Sequence, residues 1–400
     1  MTSMLRWLQN SMVTLALASG ASVQAGPVAR QEPIGEIEKV AEIRGAMPTG
    51  VAVSTSGRVF INYPRWGDAV EFTVAEIVNG IPVAFPSAAL NRLGDVSTQE
   101  TRIVSAQSVV VDPTGIHLWI VDTGSLRPQP ISYGGPKLIK VDLRTNEVVD
   151  KILIDRKALE PETYLNDARF MLPPGKPGYA FITDSSAKGG IIVVDLESRQ
   201  SWRRLGDTIF TRSDPGFVPI VEAEVLMLRG RGKPPQKFNV GSDGLAISGD
   251  GQQLYFRSLT SRHLYSVPTD ALINRTIDES TVQKRVVDYG QVAGASDGLE
   301  ADASGGIYLT DYEHNAIHRF TGSAATMETV MYSAKAIWPD SLSLADNGYL
   351  YFTANQLNRQ AQFHQGVDKR FQPYMIFRIR TNHLPIRQAN SHNKAGGTDR

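Results

Sequence analysis

The stretch SDGLAISGDGQQLYF at 242–256 returns, little changed, as SDGLEADASGGIYLT beginning 54 residues later. Self-similarity at such a period restricts a chain to assemblies whose units cannot bury their apolar faces alone, such as solenoids, propellers and arrays. Superposing the two copies yields a ruler, because Asp243 stands eight residues before Gly251 and Asp297 eight before Gly305. The same interval separates Asp340 from Gly348, Gln107 from Gly115, Thr49 from Gly57 and Asp167 from Gly175. Six copies emerge, their ruler residues 58, 60, 76, 54 and 43 apart.

After each glycine comes a run of branched and aromatic residues, RVFINY, HLWIVD, YAFITD, QLYFRS, IYLTD or YLYFTA, which suits a pleated, half-buried strand. A third short run is common after it, as in LIKVDL, GIIVVDL, HLYSVP and AIHRF. Gly with Asp or Asn between the first two runs supplies turn chemistry, since these residues tolerate positive φ. Each unit therefore reads as an antiparallel meander, and no long 3.6-residue period supplies the crossover helices of a parallel sheet. Six meanders of this length predict an all-β, six-bladed β-propeller, with a β-sandwich as the competing architecture. The 76-residue spacing places an insertion at about 207–238, containing RGRGKPP. The segment EIEKVAEIRG at 36–45 precedes the first copy and can supply the outer strand of the last blade. The expected organisation is a leader over 1–25, one propeller over 26–380 and a polar, disordered tail over 381–400.

Composition narrows the function classes. Lys plus Arg and Asp plus Glu each total 41, giving a formal net charge of zero, and no basic block offers phosphate contacts, so nucleic-acid binding is not expected. The first 25 residues combine Arg6, an apolar stretch from Val13 to Ala18 and a small-residue ending Val23-Gln24-Ala25, the layout of a secretory signal cleaved after Ala25. That stretch is too short to span a bilayer, and no other segment is long and apolar enough, so an exported protein with no membrane span is expected. The chain has no cysteine, which excludes disulfides, thiolate metal sites and cysteine nucleophiles.

In a propeller the innermost strands start around one mouth of the central channel, so Thr49, Gln107, Asp167, Asp243, Asp297 and Asp340 are the candidate ligand-binding ring, with Asn166 beside Asp167. Converging carboxylates raise one another's pKa unless a cation or donor groups compensate them. Three readings are open: the acids merely cap entry turns, they hold a hard cation such as Ca2+ in an oxygen cage, or they pair with a cationic organic ligand. GASDG at 294–298 matches the G-x-S-x-G pattern around Ser296, but the residues after it read as a strand rather than the helix a nucleophile elbow requires. His314 and His318 are four apart on a strand-turn-strand pattern without a third nitrogen ligand, so zinc is not expected. Trp66, Trp119, Trp202 and Trp338 are expected to pack between blades, with one near the channel able to stack on a ligand.

Together, RVFINYPRWGD (58–68), SVVVDPTGIHLWIVDTG (108–124), PKLIKVDL (136–143), YLNDARF (164–170) and the two SDGL segments resemble the major royal jelly and yellow protein family, with the likeness running from about Ile37 to Arg380. The resemblance implies a secreted six-bladed propeller, binding of a small molecule such as a biogenic amine in the channel, and in some members a link to dopachrome conversion, an isomerase-like activity. The absence of cysteine departs from the insect pattern and fits a bacterial periplasmic or secreted member. The chain is more distantly similar to calcium-dependent lactonases of the gluconolactonase and regucalcin type. That likeness places the metal positions at Thr49, Asn166 or Asp167, Asp243 and Asp340, a calcium ion held by Asn166, Asp243 and Asp340 being the enzyme reading, with Asp243 or Asp297 as the catalytic group activating water on a lactone. Thr49 stands where those lactonases place a glutamate, and a hydroxyl is a weaker ligand.

Overall fold

The computed structural model describes residues 32–126, 131, 134–176, 178–323 and 326–387. The leader over 1–25 and the end of the tail lie outside the described residues. Six four-stranded antiparallel sheets form six blades. Their innermost strands are Val51–Val53, Ala106–Val111, Leu165–Met171, Ser242–Ile247, Leu299–Ala301 and Pro339–Leu344. All six ruler glycines have positive φ, from +68° at Gly175 to +94° at Gly305, so each marks the tight turn from first to second strand. The competing sandwich is excluded by this arrangement.

The second strands of the blades are buried on both faces. In Tyr179–Asp184, Ala180 and Ile182 pack toward blade 2 with Trp119, Val121 and Leu138, while Phe181 packs toward blade 4 with Leu254 and Phe256. The two-residue period of a strand thus feeds two interblade cores, and it explains why the runs read as almost continuously apolar. Trp119 stacks on Phe170 with ring centroids 4.6 Å apart across the blade 2–3 interface. Trp202 and Trp338 are likewise packed, the latter 4.0 Å from Tyr312 and nearly parallel to it.

Blade 6 takes its outermost strand from the beginning of the described chain. Ile37–Ile43 pairs antiparallel with Tyr374–Arg380, in a register running from Ile37 opposite Ile379 to Ile43 opposite Tyr374. The EIEKVAEIRG expectation is met, and the ring closes by pairing an early strand with the last one of the same blade.

Two long excursions cover one face, here called the upper face. The insertion forms two short hairpins, Ile220–Val221 with Glu224–Val225 and Met227–Leu228 with Gln236–Lys237. Its Val221, Leu226 and Phe238, together with Val240 just beyond it, pack with Tyr312, Trp338, Leu357 and Phe363. The second excursion, 355–373, leaves blade 6 and was not legible as an insertion. Arg370 ties it to Asp68 at 2.8 Å, Arg359 pairs with Glu222, and Arg229 N–H donates to the Gln362 carbonyl at 2.8 Å.

The first part of the tail expected to be disordered from 381 is a described, paired segment, and the rest of it lies outside the described residues. Residues 381–387 are ordered as a strap against the lower face: Thr381 N–H donates to Gly348, Leu384 accepts from Ala303 N–H at 2.9 Å, and Pro385 bridges to Asp302. Paired backbone, which composition does not reveal, holds this segment. Among the described residues no helix is long and apolar enough to cross a membrane.

Candidate functional site

Four of the six ruler positions sit where the inner strand breaks register with its neighbour. The irregularities fall between Ala106 and Ser108, Leu165 and Ala168, Ser242 and Leu245, and Pro339 and Leu342. A bulge leaves a residue outside the ladder and re-aims its side chain, which turns Gln107, Asn166, Asp243 and Asp340 toward the channel. Threonines of the second-strand runs FITD, YLTD and YFTA hold the backbone at three ring positions. Thr183 Oγ1 accepts from Asp167 N–H at 3.1 Å, Thr310 Oγ1 from Asp297 and Gly298 N–H at 3.0 Å, and Thr353 Oγ1 from Ser341 N–H at 3.1 Å.

The glycine next to the acid in both SDGL copies is explained by close approach of neighbouring inner strands. A Cβ on Gly244 would lie 2.6 Å from the Asp297 carbonyl, and one on Gly298 would lie 2.3 Å from that of Asp340. The repeated Asp-Gly therefore places a carboxyl on the channel and lets the next strand pass directly beside it.

Asp243, Asp297 and Asp340 converge on one cavity floor with Gln107 and Asn166, and each acid is more than nine-tenths buried. Asp297 Oδ2 accepts from Trp338 Nε1 at 2.6 Å and Asp340 Oδ2 from Asn355 Nδ2 at 2.5 Å. Ser185 Oγ lies 3.2 Å from Asp243 Oδ2 and accepts from Asn166 Nδ2 at 2.7 Å. The Asp243 and Asp297 carboxyls are close enough to share a proton. Burial, then the neighbouring Asp297 charge, pushes Asp243 well above the usual aspartate range, and burial with both neighbours does the same to Asp340. Burial raises Asp297 to about 6, against the Trp338 and Asp243 hydrogen bonds that hold it down. Without a ligand the floor thus favours protonated carboxyls, Asp297 ionising at about 6 and Asp243 and Asp340 held well above the ordinary aspartate range.

Above the floor stands a wall of Trp66, Tyr164, Phe238, Leu357, Gln360 and Gln362, enclosing a throat of about 40 Å³. Trp66 Nε1 donates to Tyr164 Oη at 2.6 Å, which in turn donates to Gln107 Oε1 at 2.8 Å. Trp66, Gln360 and Gln362 also border a wider vestibule of about 590 Å³, with Asp68 and Arg370 on its rim. Both excursions contribute to this wall, so the insertion lies on the face that bears the acids.

Two ring expectations are corrected. Thr49 does not reach the cavity: its hydroxyl accepts from Asn62 Nδ2 at 2.8 Å and donates to the Gln107 carbonyl at 3.2 Å, which turns it into the wall between blades 1 and 2. Asp167 is at the floor's lower edge, but Arg169 Nη1 binds both its oxygens, at 2.9 and 2.8 Å, so Asn166 faces the upper cavity while Asp167 is neutralised from below. Ser296 Oγ donates to the Gly298 carbonyl at 3.1 Å, and a strand comes next. His314 and His318 both contact Asp311 Oδ2.

Sequence reasoning missed the acids ending the second strands. Asp122 accepts from Val104 and Ser105 N–H at 2.7 and 2.9 Å, Asp184 from Tyr164 N–H at 2.9 Å, and Asp311 from Gly294 N–H at 3.1 Å. Each pins the segment that leads into a ring position. Their recurrence in HLWIVD, YAFITD and IYLTD was the available signal.

The family model for Major royal jelly protein matches residues 104–386. The chain belongs to the major royal jelly protein family. Major royal jelly protein 7 of Apis mellifera is 28% identical over 187 residues, covering 45% of this chain and 39% of its own length. Major royal jelly protein 3 of the same species is 26% identical over 250 residues, covering 56% and 42%. This royal jelly-type chain therefore spans about two-fifths of the length of the curated relatives it matches. Among solved structures, a luciferin-regenerating enzyme superposes with TM-score 0.52 at 11% identity, covering 89% of this chain and 98% of that one. A protein assigned as a gluconolactonase gives TM-score 0.52 at 13% identity, covering 88% and 94%. These two likenesses establish the propeller fold and nothing of the chemistry.

Proposed function

We propose that this royal jelly-type propeller binds a small aromatic amine at its upper mouth, the ammonium seated on Asp243, Asp297 and Asp340 and the ring against Trp66, Tyr164 and Phe238. The observation that carries this reading is the set of three buried carboxyls that, among the described residues, pair with no arginine, lysine or histidine, beneath an aromatic and amide wall. A desolvated anion needs a compensating charge, and an ammonium provides one while its ring gains stacking and cation–π contacts. The calcium-lactonase alternative is supported less well. With Thr49 withdrawn, Asn166, Asp243 and Asp340 offer few of the six to eight oxygens that calcium takes. Among the described residues no three His, Cys, Asp or Glu side chains group to hold a metal.

Seating an ammonium on carboxyls that are protonated beforehand releases protons. Affinity for tyramine, used as the probe, is therefore expected to rise with pH by up to roughly tenfold per unit for each proton released, Asp297 contributing up to about 6, and to level off once all three carboxyls are ionised. Calorimetry in two buffers of different ionisation enthalpy measures the proton release directly. Absence of saturable tyramine binding at millimolar concentration, with one calcium ion bound per chain instead, would replace this reading with the metal one.

Export belongs to the same proposal. Expression with the native leader is expected to yield an extracytoplasmic protein whose N-terminal sequencing begins at Gly26, and an intact Met1 in that fraction would count against it.

A further inference from the structure

Below the acid ring the channel widens again into a cavity of about 370 Å³, within the range of small-molecule sites. Its wall alternates apolar Val53, Val111, Phe170, Met171, Ile247 and Leu344, at the lower ends of the inner strands, with Ser108, Ser341 and Ser343. Its deep end is a polar belt of Asp167, Arg169 and Glu300, and Asp167 also borders the upper floor, so the belt stands between the two compartments. Its rim includes Pro385, Ile386 and Arg387 of the C-terminal strap.

The strap is fastened by specific contacts. His383 Nδ1 and Tyr308 Oη are 2.7 Å apart, Ile386 packs on the blade 4–5 core, and Arg387 pairs with Asp346 of blade 6 at 3.1 Å. In the belt, Arg169 spends its terminal nitrogens on Asp167, the Ala168 carbonyl and the Leu299 carbonyl. Glu300 Oε1 accepts from Ala301 N–H at 2.9 Å, whereas Oε2 is 3.7 Å from Arg169, beyond hydrogen-bond distance. Burial raises the Glu300 pKa against the pull of Arg169. In either protonation state the carboxyl keeps an oxygen able to accept a hydrogen bond from a molecule in the cavity.

The geometry points to a second ligand site in the lower channel, rimmed by the strap, for a small and mainly apolar molecule carrying one hydroxyl donor directed at Glu300 Oε2. The apolar part of the wall takes the body of the ligand, and Glu300 Oε2 at the deep end orients it. The upper floor selects a cation, whereas this compartment selects an uncharged amphiphile.

The test is a fluorescence titration of the protein with 2-naphthol, with naphthalene as the probe lacking the donor. One-to-one saturable binding of 2-naphthol is expected, with naphthalene weaker by roughly fivefold, the scale of one net hydrogen bond. Glu300→Leu should bring 2-naphthol down to the naphthalene value. Met171→Trp and Val111→Trp, at half-buried positions on the wall, should abolish binding with the native melting temperature retained, while Asp243→Asn in the upper floor should leave it intact. No saturable 2-naphthol binding, equal affinity for the two probes, or binding that survives in whichever tryptophan variant folds would overturn the site. Loss in Asp243→Asn alone would move 2-naphthol to the upper mouth and overturn it as well. The tyramine titration is scored separately, so failure of one site leaves the other standing.

Discussion

Asp297→Asn is expected to stabilise the protein at pH 8 by about 2–3 kcal/mol and to leave it nearly unchanged at pH 4. The folded-state pKa of Asp297 lies near 6 against an ordinary value of 3.8, and a shift of roughly two units is worth about 3 kcal/mol. Linkage sets the sign. Between 3.8 and about 6 the unfolded chain has released this proton and the folded protein still holds it, so stability falls as pH rises through that window and the full penalty remains above it. Asparagine keeps an oxygen to accept from Trp338 and an amide N–H that can meet Asp243, without a charge to bury. Urea denaturation at the two pH values measures the difference. A variant less stable than the parent at pH 8 would show that the carboxylate is compensated within the protein, and would undercut the reading of the floor as a cation site. The same substitution is expected to weaken tyramine at least tenfold, a trade of stability for function typical of binding sites.

Lys137→Met is expected to destabilise the protein by about 3–5 kcal/mol, because it strands a buried carboxylate. Both side chains are fully buried, and Lys137 Nζ spends its three hydrogens on Asp122 Oδ2 at 2.7 Å, the Gln99 carbonyl at 2.7 Å and the Gly135 carbonyl at 2.9 Å. Asp122 in turn accepts from Val104, Ser105 and Gly124 N–H. The pair therefore staples the segment entering Ala106–Val111, the strand that carries Gln107. A loss below about 1 kcal/mol in urea denaturation would mean that water or a rearranged loop replaces the ammonium.

The contrast between Asp243 and Asp167 shows how far one ruler position can diverge. Both are acids at the same place in the repeat. Asp243 precedes Gly244, whose missing Cβ lets the neighbouring strand close in, and it stays without a basic partner. Asp167 precedes Ala168 and Arg169, and the guanidinium two residues on captures it. Arg169 was visible in the sequence, but its direction was not, since alternation along a strand is disturbed by the very bulge that presents Asn166. Thr49 diverges for a different reason: Asn62, 13 residues away at the end of the second strand, takes its hydroxyl into the interblade wall.

By itself the sequence determined the six-bladed plan, the closure of blade 6 by residues 37–43 and the convergence of Asp243, Asp297 and Asp340. These depend on two-residue periodicity, turn glycines and an eight-residue interval, all properties of short range that repeat. The tertiary structure alone decided the rest: the upper-face wall from 207–238 and 355–373, the lower strap at 381–387 and the side chains that compensate or strand each acid. Those features arise from contacts between residues tens to hundreds of positions apart, such as Arg370 with Asp68 and Arg378 with Glu38. Burial, which sets the charge state of the floor, is a property of the closed ring and of the excursions laid across it.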